Sequence, residues 1–294
     1  MKKKILIVGE DSRIAKFLIT YLKKKKLKII STTRRMKKLS SSKVFLNLSR
    51  VENFEIPKNV SEAVILAGVD GNKNCLKDYK YSYKINCISI PKLILKLIKK
   101  NIFVCYLSTS AVFDNKKNLS KENSKQYSKS AYGRLKLIAE KKILNFVNKC
   151  KKKKNLSILR VTKNVDIFSE PFCDWIKKIN KKKIFSASKH FYFAPVTFDD
   201  TKKIIFKILK KRSYGIFHFS GERDISYFYF AKRLLSFNKI NADLVDSNYS
   251  LNNIHRPSQI NFVTALNMNR SSKNLKIKAT PIKKIIKLFS NNIS

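Results

Sequence analysis

Apolar residues fall in short unbroken runs, separated by stretches whose apolar positions recur every three or four residues. Lys4-Ile5-Leu6-Ile7-Val8-Gly9 is the first run. Without polar alternation it reads as a strand buried on both faces, the kind found in parallel sheets. Gly9-Glu10-Asp11-Ser12-Arg13-Ile14-Ala15 follows, then a helical pattern with Ile14, Phe17, Leu18, Tyr21 and Leu22 on the inward face. Further strands are predicted over 27–31, 44–48, 63–68 and 102–107, with a helix over about 80–100 that contains Asn86. Lys276–Leu288 reads as a basic amphipathic helix packed on the domain. Buried strands alternating with helices predict an α/β protein with a Rossmann-type doubly wound parallel sheet and right-handed crossovers. Ligands of such a sheet sit at the carboxyl ends of its strands.

The residues at those ends carry the chemistry. Ser108-Thr109-Ser110 closes the strand over 102–107, and Tyr132 and Lys136 follow in Ser130-Ala131-Tyr132-Gly133-Arg134-Leu135-Lys136. In a helix, Tyr132 and Lys136 lie one turn apart on one face. An ammonium beside a phenol favours the phenolate, so Lys136 is expected to draw the tyrosine's pKa down. Tyr132 could then exchange a proton with a carbonyl or alcohol whose oxygen Thr109 holds by hydrogen bonding.

The first loop keeps small residues, Gly9, Ser12 and Ala15, where a dinucleotide-binding turn has glycines. Its backbone N–H groups at a helix N-terminus suit a phosphate. The second strand ends in Thr32-Thr33-Arg34-Arg35, without the carboxylate that would bind a ribose 2′-hydroxyl. Arginine matches a phosphate in fork geometry, so a 2′-phosphate, hence NADP rather than NAD, is the expected guest. Asn47 and Leu48 are placed near an adenine, and Ala67 and Gly68 where a cofactor passes close.

Charge complicates this picture. The chain of 294 residues has 65 Lys plus Arg against 19 Asp plus Glu, a formal charge of +46. Such an excess raises nucleic acid or an anionic membrane as partner. The lysines are nevertheless scattered along the whole chain while Gly and Pro number six each, which reads as compositional drift at surface positions. No specific nucleic acid is expected on this ground, only polyanion binding at low salt. Five cysteines without C-x-x-C spacing argue against zinc or a disulfide framework, and no metal site is expected. Cys105 and His218 read as core residues, and the Tyr227–Phe230 cluster as packing at a helix start. No apolar run approaches 18 residues, so no membrane span is expected and a cytoplasmic protein is the default.

Together these segments resemble the extended short-chain dehydrogenases/reductases acting on nucleotide sugars, most closely the dTDP-4-dehydrorhamnose reductases. Leu107–Asp114 is similar to that family's strand ending in Ser-Thr-Asp-Tyr-Val-Phe-Asp, and Tyr132–Glu140 to its Tyr-Gly-Arg-x-Lys-x-x-x-Glu helix. Leu159-Arg160, Gly215–Gly221, Arg256-Pro257 and Ala265-Leu266-Asn267 resemble later segments. The resemblance implies a dinucleotide-binding core over 1–164 and a smaller substrate-binding α/β lobe over 165–294, with segments at about 190–220 returning to the core. It implies NADPH-dependent reduction of a keto group on a nucleotide-linked sugar, feeding polysaccharide synthesis, with a homodimer among the allowed assemblies. Thr109 would polarise the ketone, Tyr132 donate the proton, and Lys136 lower the tyrosine's pKa and bind the nicotinamide ribose. Gly9, Ser12, Arg13, Ile14, Thr33, Arg34, Asn47, Leu48, Ala67 and Gly68 would line the cofactor, and Ser110 and Arg256 would meet the substrate.

The sequence departs from the family pattern at several points. Ser110 and Ala111 replace its Asp and Tyr, which argues against a dehydratase, and Lys163 stands where an aromatic is expected. An epimerase of the same fold is the alternative enzyme, disfavoured by the missing carboxylate after the second strand. A catalytically inactive family member that binds RNA or regulates a partner is the other, favoured by the charge and opposed by the joint presence of Thr109, Tyr132 and Lys136.

Overall fold

The computed structural model describes residues 3–113, 119–247 and 263–293. The first half runs β1 (Lys4–Val8), α1 (Arg13–Lys24), β2 (Lys28–Thr33), β3 (Lys43–Phe45), β4 (Val60–Ile65), α2 (Asn72–Lys77), α3 (Tyr79–Tyr83), α4 (Ile90–Lys99), β5 (Phe103–Thr109), α5 (Ala131–Lys149) and β6 (Leu156–Val161). The second half runs β7 (Lys163–Val165), α6 (Phe172–Asn180), β8 (Phe185–Ser186), β9 (Tyr192–Phe193), β10 (Pro195–Thr197), α7 (Phe198–Lys211), β11 (Gly215–Phe219), β12 (Ile225–Ser226), α8 (Tyr227–Phe237), β13 (Val245–Asp246), α9 (Asn269–Leu275) and α10 (Ile282–Ser290).

Seven strands form one parallel sheet in the order β11-β6-β5-β4-β1-β2-β3. The order reverses between β1 and β4, so the chain leaves β1 in one direction along the sheet and returns to its other side. That reversal opens a crevice at the carboxyl ends of these two strands. Side chains of β1 alternate between the two faces. Leu6 and Val8 join α4 and α5 in one core, whereas Ile5 and Ile7 join α1 and α7 in the other. A third core, with Phe172, Trp175, Phe193, Phe230 and Phe289 at its centre, holds α6, α8 and α10 together. The segments β10, α7 and β11 leave this aromatic core to cover or extend the main sheet.

Several details depart from the sequence pattern. Phe17 is exposed, because it leaves the α1 interface to stack on Phe198 at 5.6 Å. The helix expected over about 80–100 begins at Tyr79, just past a break at Asp78, and runs to Lys99, but it carries a π turn at Lys84–Ser89 before α4. The closing helix starts only at Ile282, because Lys276 is left-handed (φ 50°) and caps α9. Its apolar face, Ile282, Ile285, Ile286 and Phe289, is buried on the aromatic core. Cys75, Cys87 and Cys105 are buried thiols, Cys150 is exposed just past α5, and Cys173 donates to Glu170. Among the described residues no helix is long and apolar enough to cross a membrane, and no three His, Cys, Asp or Glu side chains gather as a metal cluster.

Candidate active site

The switch-point crevice continues into two adjoining hollows of about 440 and 450 Å³ that share Ser12, Ala67, Gly68 and Asp70. The first is lined by Gly9, Thr33, Arg34 and Leu48. The second is lined by Arg13, Ile14, Thr109, Tyr132, Lys136 and Lys163. Together they form one groove across the carboxyl edge of the sheet.

The groove's floor demands a residue without a side chain at its first turn. Gly9 has φ +94°, and a Cβ there would meet Ala67 at 2.8 Å. Ser12 caps α1 through the Ala15 N–H at 3.3 Å, and the Lys16 N–H returns to the Ser12 carbonyl. Among the described residues the N–H groups of Arg13 and Ile14 have no partner, so the α1 N-terminus offers free donors where the groove narrows. The opposite wall is fixed by Asn86 on the π turn. Its amide brackets Val69, accepting from the N–H at 3.0 Å and donating to the carbonyl at 2.8 Å. Such turns place side chains that a regular helix would rotate away.

At the end of β2 a carboxylate does arrive, though from a different strand end. Asp11 accepts from Thr33 Oγ1 at 3.3 Å and pairs with Arg35 at 3.5 Å and Lys38 at 3.9 Å. Two cations therefore face this one anion. Arg34 lines the groove and forms no ion pair among the described residues.

Thr109, Tyr132 and Lys136 all line the second hollow. Gly133 explains how the helix comes this close. A Cβ there would lie 2.0 Å from the Ala111 carbonyl oxygen and 2.1 Å from Ser128 Oγ, so only glycine lets α5 abut the turn after Thr109. Thr109 Oγ1 accepts from the Ala111 N–H at 3.2 Å, which leaves its hydrogen for a ligand oxygen. Lys136 Nζ donates to the Leu107 carbonyl at 2.6 Å and lies 4.0 Å from the centre of the Tyr106 ring.

Electrostatics here correct the expectation drawn from sequence. Burial, then the Asp70 carboxylate, pushes the Tyr132 phenol well up rather than down. The ammonium that was to lower it is held by Leu107, and burial brings its own pKa down to about 7, opposed chiefly by Glu140. Tyr132 is thus a neutral phenol near pH 7.

Behind these groups lies a buried ion pair. Arg160 is fully buried and grips Glu140 through Nη2 at 2.7 Å and Nε at 3.1 Å. Glu140 also accepts from Ser108 Oγ, and Arg160 Nη1 meets His218 Nε2 at 3.4 Å. Burial, then Arg160, pushes His218 down to about 3, so it is a neutral core residue bonded to the Asn267 carbonyl. This network ties β5, α5, β6 and β11 together directly beneath the groove.

The RmlD substrate binding domain family matches residues 2–293. The chain belongs to this family. No curated protein matches it in sequence. Among solved structures, dTDP-4-dehydrorhamnose reductase from Yersinia enterocolitica is 19% identical, with a TM-score of 0.81 over 98% of this chain and 100% of that one. The same enzyme from Bacillus anthracis, in complex with NADP, is 17% identical with a TM-score of 0.78 over 98% of both chains. UDP-glucose 4-epimerase from Thermotoga maritima, with UDP-glucose, is 15% identical with a TM-score of 0.77 over 98% of both chains. At these identities the likeness establishes the fold.

Within this RmlD-family fold the groove gathers most residues anticipated from sequence: Gly9, Ser12, Arg13, Ile14, Thr33, Arg34, Leu48, Ala67, Gly68, Thr109, Tyr132 and Lys136. Two stand elsewhere. Asn47 is a cap, accepting from the Ser49 N–H at 2.9 Å, and lines a separate small hollow. Ser110 is buried in the turn after β5, off the groove. Arg13 lines the groove but turns its guanidinium to Asp166 at 2.7 Å and Ser169 at 2.9 Å. Arg256 lies outside the described residues. Asp11 and Asp70 are given no role by the sequence, and Asn86 is named there only as part of a helix; each acts on residues distant along the chain, and no local pattern signals that.

Proposed function

We propose that the protein is an NADPH-dependent reductase of a keto group on a nucleotide-linked sugar, with Tyr132 as proton donor. The observation that carries this reading is that Thr109, Tyr132 and Lys136 line the same groove as the glycine turn and Arg34. The residues fit a dinucleotide: free helix N-terminal donors for a diphosphate, Leu48 for a base, and an uncommitted guanidinium for a 2′-phosphate. Asp11 does not reverse that preference, because Arg35 and Lys38 already face it.

Bound NADPH supplies the hydride. The protein's own part is positioning and proton transfer. The Thr109 hydroxyl donates to the substrate's keto oxygen while its own oxygen is held by the Ala111 N–H. Tyr132, a neutral phenol, gives its proton to that oxygen as the carbonyl becomes an alcohol. Lys136, whose Nζ sits at the Leu107 carbonyl in the same hollow, would as an ammonium hold the nicotinamide ribose. A neutral phenol carries the proton a reduction needs; its raised pKa makes it a weak acid, so the transfer is driven by the far more basic alkoxide oxygen that hydride addition creates. An epimerase of this fold is the second reading. The chain's structural likeness to UDP-glucose 4-epimerase favours it, and the cation excess at the end of β2 opposes it.

Titration with NADPH and NADH tests the cofactor, and tighter binding of NADPH is expected. Binding of neither at physiological salt would remove the enzyme reading. Turnover of a 4-keto nucleotide sugar by wild type and Tyr132→Phe tests the chemistry.

A further inference from the structure

Lys163 is the first residue of β7, immediately past the end of β6, and its side chain lines the same hollow as Thr109, Tyr132 and Lys136. It is half-buried against the aromatic core, 5.1 Å from the Tyr227 ring centre and 5.8 Å from that of Phe172. Nζ donates one hydrogen bond, to Tyr227 Oη at 2.6 Å. Among the described residues no carboxylate lies within ion-pair distance of it. Asp166, on the same segment, is taken by Arg13 at 2.7 Å, and the Asp70 charge acts on Tyr132 and Lys136. Asn164 accepts from Thr201 at 2.6 Å, and Thr162 accepts from the Gly221 N–H at 3.3 Å, so neither neighbour is committed to the ammonium.

A cation taken out of water with one phenol oxygen and two ring faces as partners has recovered only part of its lost hydration, and no anion nearby supplies the rest. Burial, and then the Arg13 guanidinium, push its pKa down. An anion placed against it would reverse both effects. The remaining two N–H donors of the ammonium have the groove as their outlet. Where the sequence family has an aromatic, the chain therefore carries a charge-reading group.

We infer that Lys163 is a specificity residue that binds an anionic oxygen group of the substrate, a sugar carboxylate or the nucleotide diphosphate. The inference rests on the reading of this groove as a nucleotide-sugar site. It makes the preferred substrate more acidic at that point than a neutral deoxysugar with an aromatic platform beneath it. Tyr227 is the positioning residue, fixing Nζ from the lobe side.

Calorimetric titrations of the full-length protein, with and without saturating NADPH, compare wild type, K163M and K163R against UDP-glucuronate, UDP-glucose and UDP. Loss of a charge-assisted hydrogen bond predicts a roughly tenfold or greater drop in affinity for K163M, largely restored in K163R. A drop confined to UDP-glucuronate identifies a sugar carboxylate as the anion; an equal drop for all three identifies the diphosphate. NADPH affinity, measured on the same samples, reports folding and the cofactor site, and is expected to be equal in wild type and K163M. Unchanged affinity of K163M for all three nucleotides overturns the inference, as does failure of wild type to bind any of them. A parallel drop in NADPH affinity overturns it too, by assigning Lys163 to the cofactor. Failure of wild type to bind NADPH, with Lys163-dependent binding of the nucleotide sugars intact, overturns the reductase reading and leaves the inference standing.

Discussion

Tyr132 is a neutral phenol near pH 7, and partial burial with the Asp70 carboxylate nearby raises its pKa further above the ordinary value. Removing the hydroxyl therefore removes the donor and little else. Tyr132→Phe is expected to lower kcat by about 10²–10⁴-fold, with NADPH affinity within about twofold of wild type by direct titration. On the proposed mechanism, Lys136 sets the alkaline limit. Its amine, brought down to about 7 by burial, is charged below that pH and neutral above it. The ammonium is the stronger hydrogen-bond donor to a ribose hydroxyl, so kcat/KM is expected to fall as pH rises through about 7. A flat profile between pH 6 and 9 would remove Lys136 from that role. The same group makes folding stability rise with pH between about 7 and 10.5, because the unfolded chain binds the proton that the folded one has released. Arg34 is the third test at this scale. Arg34→Ala should weaken NADPH by about tenfold or more through loss of a charge-assisted contact, and leave NADH nearly unchanged.

At the scale of elements, the site depends on how closely α5 meets the end of β5. Gly133→Ala puts a methyl group into backbone at 2.0 Å from the Ala111 oxygen. The helix must shift, at a cost of about 1–3 kcal/mol in denaturant unfolding, with activity lost further than stability explains. Glu140→Ala leaves the Arg160 guanidinium buried and unpaired, which should cost about 3–5 kcal/mol in the same measurement. Much of this architecture was legible in the chain. Fully buried parallel strands read as apolar runs, so Lys4–Val8 and Phe103–Thr109 announce themselves, and the residue at each strand end follows. The π turn did not, because Lys84–Ser89 has the composition of an ordinary helix and the Asn86–Val69 bracket joins residues seventeen apart in the chain. Asp11 was read as loop sequence, since its meeting with Thr33 depends on the pairing of β1 with β2. The Tyr132 shift was mistaken in sign because spacing shows that two side chains share a face, whereas burial shows which of them keeps its charge.

Across the whole molecule the positive excess has its own geometry. A hollow of about 910 Å³ between α7 and the segment from Leu275 to Lys284 is rimmed by Lys207, Lys210, Lys211 and Lys278, with Asp200 paired to Lys284 at 2.6 Å. It is separate from the groove that holds Tyr132. Single-stranded oligonucleotide should bind here at low ionic strength, losing at least about tenfold between 50 and 200 mM salt, without displacing NADPH. Fluorescence anisotropy across that range checks it, and tight binding retained at high salt would favour the nucleic-acid reading of the fold.

The distribution of thiols has a practical corollary. Cys75, Cys87 and Cys105 are enclosed and burial holds them protonated, while Cys173 is pushed up by its bond to Glu170. Cys150 is the most open to solvent, at the far end of the helix whose first turn carries Tyr132, while Cys173 is half-covered. A maleimide dye should therefore attach there first, and would report ligand arrival by fluorescence through a rigid rod without touching the chemistry.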